Sequence, residues 1–128
     1  MKITDVRACQ PIASGSPNDW RTTIGQILVA IDTDAGLTGY GVGGGGAAGI
    51  HVIEAELRPA LLGRDPSPVE EIWDDLYDLT LPYGQAGIAI MAQSGVDLAL
   101  WDLRGKDAGR PVAAILAQDG VARIGEPM

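Results

Sequence analysis

Residues 87–112, GIAIMAQSGVDLALWDLRGKDAGRPV, decide the fold. Ile88, Met91, Ala92, Gly95, Leu98 and Ala99 form an apolar stripe at helical spacing, and Val96, Leu100, Trp101 and Leu103 extend it round most of the circumference. A helix of that kind belongs inside a domain. Its end is marked twice, because Gly109 suits the left-handed position just past a helix and Pro111 cannot continue that helix but can open another. The spacing predicts a long buried helix ending at Gly109, then a short one over VAAILA from Val112.

Working outward, 128 residues suffice for one core that buries roughly two-thirds of the unfolded surface. The 17 acidic and 9 basic residues give a net charge of −8, which disfavours nucleic acid and anionic membrane as partners. Lys2, Asp5 and Arg7 interrupt any secretory signal, and no run approaches about 18 apolar residues, so the expectation is a soluble cytoplasmic chain. Cys9 is the only cysteine. It excludes an intrachain disulfide and is predicted to be a small buried hydrophobe.

Upstream, residues 3–12 and 26–32 read as strands, Thr33-Asp34-Ala35-Gly36 as a turn, and residues 37–42 as a third strand. From Ile50 the period becomes helical through Ile53, Leu57 and Leu61, with Pro59 kinking or ending the segment. Ser67-Pro68-Val69-Glu70 reads as a capping box that opens a helix with Val69, Ile72, Trp73, Leu76 and Leu79 inward. Strands first and helices afterwards predict an α+β fold, a three-stranded antiparallel meander followed by a helical bundle. Two connections stand out: residues 13–23, longer than a hairpin needs, and residues 41–49 (GVGGGGAAG), too glycine-rich to hold one conformation unaided.

Few residues carry chemistry. Gly39-Tyr40-Gly41-Val42-Gly43-Gly44 matches a dinucleotide fingerprint in letters but follows a hairpin and lacks the βαβ context that the motif needs. Asp97 and Asp102 lie about 140° apart round their helix and cannot share a metal. Pairing of Asp102 with Lys106, and of Asp97 with Arg104, is the expected role. Glu70, Asp74 and Asp78 read as a solvated face. His51 is the only histidine, which excludes a multi-histidine metal site, and it reads first as a helix-start or surface residue. Trp20 and Arg21 are the better ligand candidates, since an exposed indole is costly and Arg fits a carboxylate bidentately.

Residues 92–116, AQSGVDLALWDLRGKDAGRPVAAIL, resemble the signature of the mandelate racemase and muconate lactonizing enzyme group of the enolase superfamily. KITDV at the start, VAIDTDAGLTGYG, LRPALLGRDP and DLYDLTLPYG are similar to the N-terminal capping domain of those enzymes, with SGVDLALWDL and LPYG leaning toward the acid-sugar dehydratases. The resemblance implies a capping domain over residues 1–117 (sheet 3–42, helices 50–117) and residues 118–128 as a linker toward a barrel. It implies that loops 13–23 and 41–49 fold over the barrel mouth, with Trp20, Arg21 and His51 as substrate-capping candidates for a small carboxylate substrate. Magnesium, expected in the complete enzyme, would be held by the barrel and stabilise an enolate for a dehydratase or racemase acting on a hydroxy-acid. The sequence departs from the family pattern where Ile115-Leu116-Ala117-Gln118 replaces Leu-Leu-Gly-Gly, and the family's Lys-x-Lys base is absent, since the only lysines are Lys2 and Lys106. No catalytic residue, metal ligand or cofactor is therefore expected in this chain, and Trp73, Tyr77, Trp101 and Ile115 are expected to form an apolar patch for the barrel or a homo-oligomer. The alternative expectation is a free-standing, non-enzymatic interaction domain that forms a homo-oligomer.

Overall fold

The structure, a computed structural model, describes residues 1–11 and 25–118. Strands β1 (Ile3–Cys9), β2 (Ile27–Thr33) and β3 (Thr38–Gly43) form an antiparallel sheet in the order β1-β2-β3, the meander that the sequence predicts. The β2–β3 turn closes through the Thr33 hydroxyl, which donates to the Leu37 carbonyl at 2.8 Å, and through Gly36 at φ 77°. Val6, Ile31 and Gly39 align across the inner face, as do Ala8, Val29 and Gly41. The outer face carries three rows: Cys9, Leu28 and Val42; Arg7, Ala30 and Tyr40; Asp5, Asp32 and Thr38. Cys9 is thus exposed rather than buried, because strand alternation sends it to the face opposite Val6 and Ala8.

Helix α1 (Gly46–Val52) starts four residues earlier than the apolar period indicates and takes up half of the glycine-rich connection. Gly41 and Gly43 belong to β3, so only Gly44 and Gly45 link strand to helix, and the stretch holds a defined conformation. Pro59 neither ends nor sharply breaks the helical path through Leu61. A π-turn (Ile53–Leu57) leads into α2 (Arg58–Leu61), with the Arg58 N–H donating to the Ile53 carbonyl. The wider turn accommodates a ring that would otherwise collide with the carbonyl four residues back. Ile53, Leu57 and Leu61 are all fully buried.

Helix α3 (Val69–Thr80) buries Val69, Ile72 and Leu76, while Leu79 at its end is exposed. The capping box does not form: Pro68 is the N-cap without a side-chain bond, and the Ser67 hydroxyl donates to Asp65 Oδ1 at 2.6 Å. A 3₁₀ turn (Leu81–Tyr83) leads to α4 (Ile88–Ala108), which ends at Gly109 in the left-handed conformation as expected. Helix α5 (Val112–Gln118) folds back, with Ile115 only 6% exposed against the helices rather than in an open patch. Of residues 118–128, expected to form a linker, Gln118 is the last residue of α5 and the others lie outside the described residues.

The sheet packs its inner face on α4, and β3 meets the helix backbone to backbone. A Cβ on Gly39 would stand 2.1 Å from the Ala99 carbonyl oxygen, and one on Gly43 2.8 Å from that of Met91. Gly95 answers from the helix side, where a Cβ would reach within 2.8 Å of Val29 Cγ2. The glycines of the dinucleotide-like string therefore form a trough for a helix rather than a phosphate cradle.

Candidate functional site

The end of the sheet where β1 finishes, β2 begins and β3 finishes gathers the bases of both prominent connections. The Gly46 N–H donates to the Gly25 carbonyl at 2.9 Å, joining the start of α1 to the return of the segment that holds Trp20 and Arg21. The Gly44 N–H donates to the Met91 carbonyl at 3.1 Å, which ties the same link to the first turns of α4. Gly45, at φ 92°, lies so close to α4 that a Cβ there would stand 3.1 Å from Ile88 Cγ2. Trp20 and Arg21 themselves lie outside the described residues. His51 is exposed in the last turn of α1, on the helix that begins at this end.

Large apolar side chains stay uncovered at this end. Leu28 and Val42 share the outermost row of the outer face with Cys9, and Ile88 and Met91 stand at the start of α4; all five are exposed. Such exposure favours contact with another surface. The sequence pattern missed it, because Ile88 and Met91 read as part of the inward stripe.

Among the described acids, Asp5, Asp32, Glu70, Asp75 and Asp102 are held in ion pairs. Asp102 and Lys106 pair at 2.7 Å as their spacing predicts, and they do more than pair. Asp102 Oδ2 accepts the Tyr40 N–H at 2.8 Å, and Lys106 Nζ donates to the Thr38 carbonyl at 2.7 Å, so α4 caps the free edge of β3. On the outer face, Arg7 grips Asp32 with Nε at 2.8 Å and Nη2 at 3.0 Å, while the Thr38 hydroxyl donates to Asp32 Oδ1 at 2.7 Å. Those bonds hold the Asp32 carboxyl below the usual carboxylate range. Burial, with a smaller contribution from the charge of Glu70, pushes the Asp97 carboxyl up, while Arg104 reaches Glu70 at 3.6 Å. Glu70, Asp74 and Asp78 are exposed, as a solvated face requires.

A divalent cation needs several oxygen ligands converging on one point. Among the described residues there is no group of three or more His, Cys, Asp or Glu able to hold one, so the donor set does not fit magnesium. No described helix is long and apolar enough to cross a membrane.

Comparison with known proteins turns this geometry into a family assignment. The profile of the mandelate racemase / muconate lactonizing enzyme, N-terminal domain, matches residues 5–117. The L-rhamnonate dehydratase of Saccharopolyspora erythraea is 39% identical over 93 residues, covering 73% of this chain and 24% of that protein. Among solved structures, the L-rhamnonate dehydratase of Gibberella zeae superposes with a TM-score of 0.76 at 27% identity, covering 90% of this chain and 34% of that one. A racemase of Streptomyces coelicolor A3(2) with bound magnesium gives a TM-score of 0.69 at 34% identity, covering 83% and 32%. The chain spans about a quarter of the length of the curated relatives it matches.

Proposed function

The chain belongs to the mandelate racemase / muconate lactonizing enzyme N-terminal domain family, and we propose that it is the capping and substrate-selecting domain of a magnesium-dependent acid-sugar dehydratase. In this reading residues 1–117 form the cap, residues 118–128 lead toward a barrel, and the barrel supplies the metal carboxylates and the base. The observation that carries it is the loop-bearing end of the sheet. There the Gly46–Gly25 bond ties the return of the first connection to the start of α1, with Leu28 and Val42 exposed on the outer sheet face and Ile88 and Met91 exposed at the start of α4. A cap over a barrel mouth needs that combination, because its loops must reach substrate while its apolar rim excludes water. Trp20, Arg21 and His51 are the proposed contacts to a small carboxylate substrate, and the dehydratase names of the relatives support L-rhamnonate and similar sugar acids.

Solvent-deuterium exchange at the carbon beside the carboxylate of L-rhamnonate tests the proposal. The 128-residue chain with magnesium is expected to give no incorporation. The same chain joined to a family barrel is expected to dehydrate the acid, with KM rising when Arg21 or Trp20 is replaced by alanine. Exchange by the chain alone, or a KM indifferent to both replacements, would sink the reading.

A second reading is favoured by the same exposed rim together with Tyr40 and Leu98: association of two copies through it. Light scattering across a tenfold concentration range separates the two, since a chain that stays monomeric excludes the homo-oligomer.

A further inference from the structure

A cavity of about 340 Å³ opens between α3 and α4, away from the loop-bearing end. Val69, Glu70, Trp73 and Asp74 line it from α3, and Asp97 and Trp101 line it from α4. Three pairs spaced by four residues build it, because Val69 and Trp73, Glu70 and Asp74, and Asp97 and Trp101 each lie one turn apart on one helix face. Val69 is buried and forms an apolar floor, both indoles are partly covered, and Asp97 is partly buried.

One resident cation already displays the chemistry of the wall. Arg104 lies 4.9 Å from the centre of the Trp101 ring and 3.6 Å from the Glu70 carboxylate. Trp73, Asp74 and Asp97 line the remainder, adding a second indole and two further carboxyl groups. A carboxylate held partly out of water beside another acid is relieved by an added positive charge.

We propose that this cavity is a docking site for the guanidinium of an arginine presented by a partner polypeptide. The cavity is acidic and aromatic, and a guanidinium meets both demands at once, stacking its plane on an indole while its edge donates to a carboxylate. An ammonium is more strongly hydrated and lacks the flat face, so arginine is the better fit. The chain's net charge of −8 adds long-range attraction for a basic partner.

The test is an NMR titration of the isotope-labelled 128-residue chain, followed through the indole N–H signals of Trp73 and Trp101. The probes are the blocked tripeptide Gly-Arg-Gly, its Gly-Lys-Gly counterpart, agmatine, and sodium chloride at matched ionic strength. The arginine peptide is expected to give saturable shifts confined to the two indoles and the α3 and α4 amides, at least about threefold tighter than the lysine peptide. Asp97→Asn is expected to weaken it about fivefold with the other amide signals unmoved. Trp73→Leu is expected to weaken it as well, and if that variant unfolds, the Asp97→Asn result decides alone. Shifts that do not saturate, that sodium chloride reproduces, or that Asp97→Asn leaves unchanged would overturn the site. Binding of agmatine without binding of the peptide would overturn the polypeptide partner.

Discussion

Gly41 of β3 and Gly95 of α4 meet so closely that a Cβ on Gly41 would stand 2.1 Å from the Gly95 carbonyl oxygen and 2.7 Å from the Ala99 nitrogen. Both obstacles are backbone, which a repacked side chain cannot relieve. Gly41→Ala is therefore expected to cost roughly 2–3 kcal/mol of stability, the upper range for overpacking. Gly44→Ala is the control, since its closest neighbour is the flexible end of Met91 at 2.7 Å, and it is expected to cost well under about 1 kcal/mol. Urea unfolding of the two variants checks the contrast.

The Asp102 carboxylate holds an edge N–H and a lysine together, so its removal strands the Tyr40 N–H and leaves Lys106 with the Thr38 carbonyl. Asp102→Ala is expected to destabilise by about 1–2 kcal/mol and to speed hydrogen exchange at the Tyr40 amide. Asp102→Asn retains an acceptor for Tyr40 and is expected to lose less. Equal exchange at Tyr40 in wild type and Asp102→Ala would refute the edge-capping role.

Acid stability should report on the cross-strand triad of Arg7, Asp32 and Thr38. The Asp32 pKa is lower in the folded chain than in the unfolded one, so the unfolded state binds more protons in acid. The stabilisation is fully present above the unfolded value and disappears as pH falls through the folded one. Arg7→Gln is expected to be less stable than wild type at pH 7, with the two curves converging in strong acid. A constant gap at every pH measured by thermal unfolding would show that the lost contact is packing rather than charge.

Cys9 provides a probe of the outer sheet face. Its exposure predicts reaction of one thiol per folded chain with an aromatic disulfide reagent, without denaturant. A thiol that reacts only after unfolding would contradict its place on that face.

Much of this fold was legible because the sequence states it locally. The long helix carries its own stop at Gly109, and the hairpin carries Gly36 where positive φ is needed. Tertiary contact decided the rest. Glycine at 39, 41 and 43 has the period of a strand face, which was the available signal for a close helix, but only the opposing Gly95 shows what fills the trough. Ser67 is not the cap because the helix opens at Val69 with Pro68 as its N-cap, which leaves Ser67 one residue outside, and the start of α1 carries few apolar residues to reveal a period. The candidate site was less legible, because it is made where chain ends of separate strands converge.

The π-turn before Pro59 also keeps time for the helix that contains it. Four residues overshoot one α-helical revolution by about 40°, so two such steps from Ile53 to Leu61 would accumulate about 80° and turn Leu61 away from the sheet. A wider turn between them subtracts part of that rotation, which leaves Ile53, Leu57 and Leu61 buried and lets Arg58 reach Asp5 at 2.8 Å. Removing one residue from 53–57 would restore ordinary pitch and put everything downstream out of step, which makes this stretch intolerant of length change even though two of its five side chains, Glu54 and Glu56, are charged.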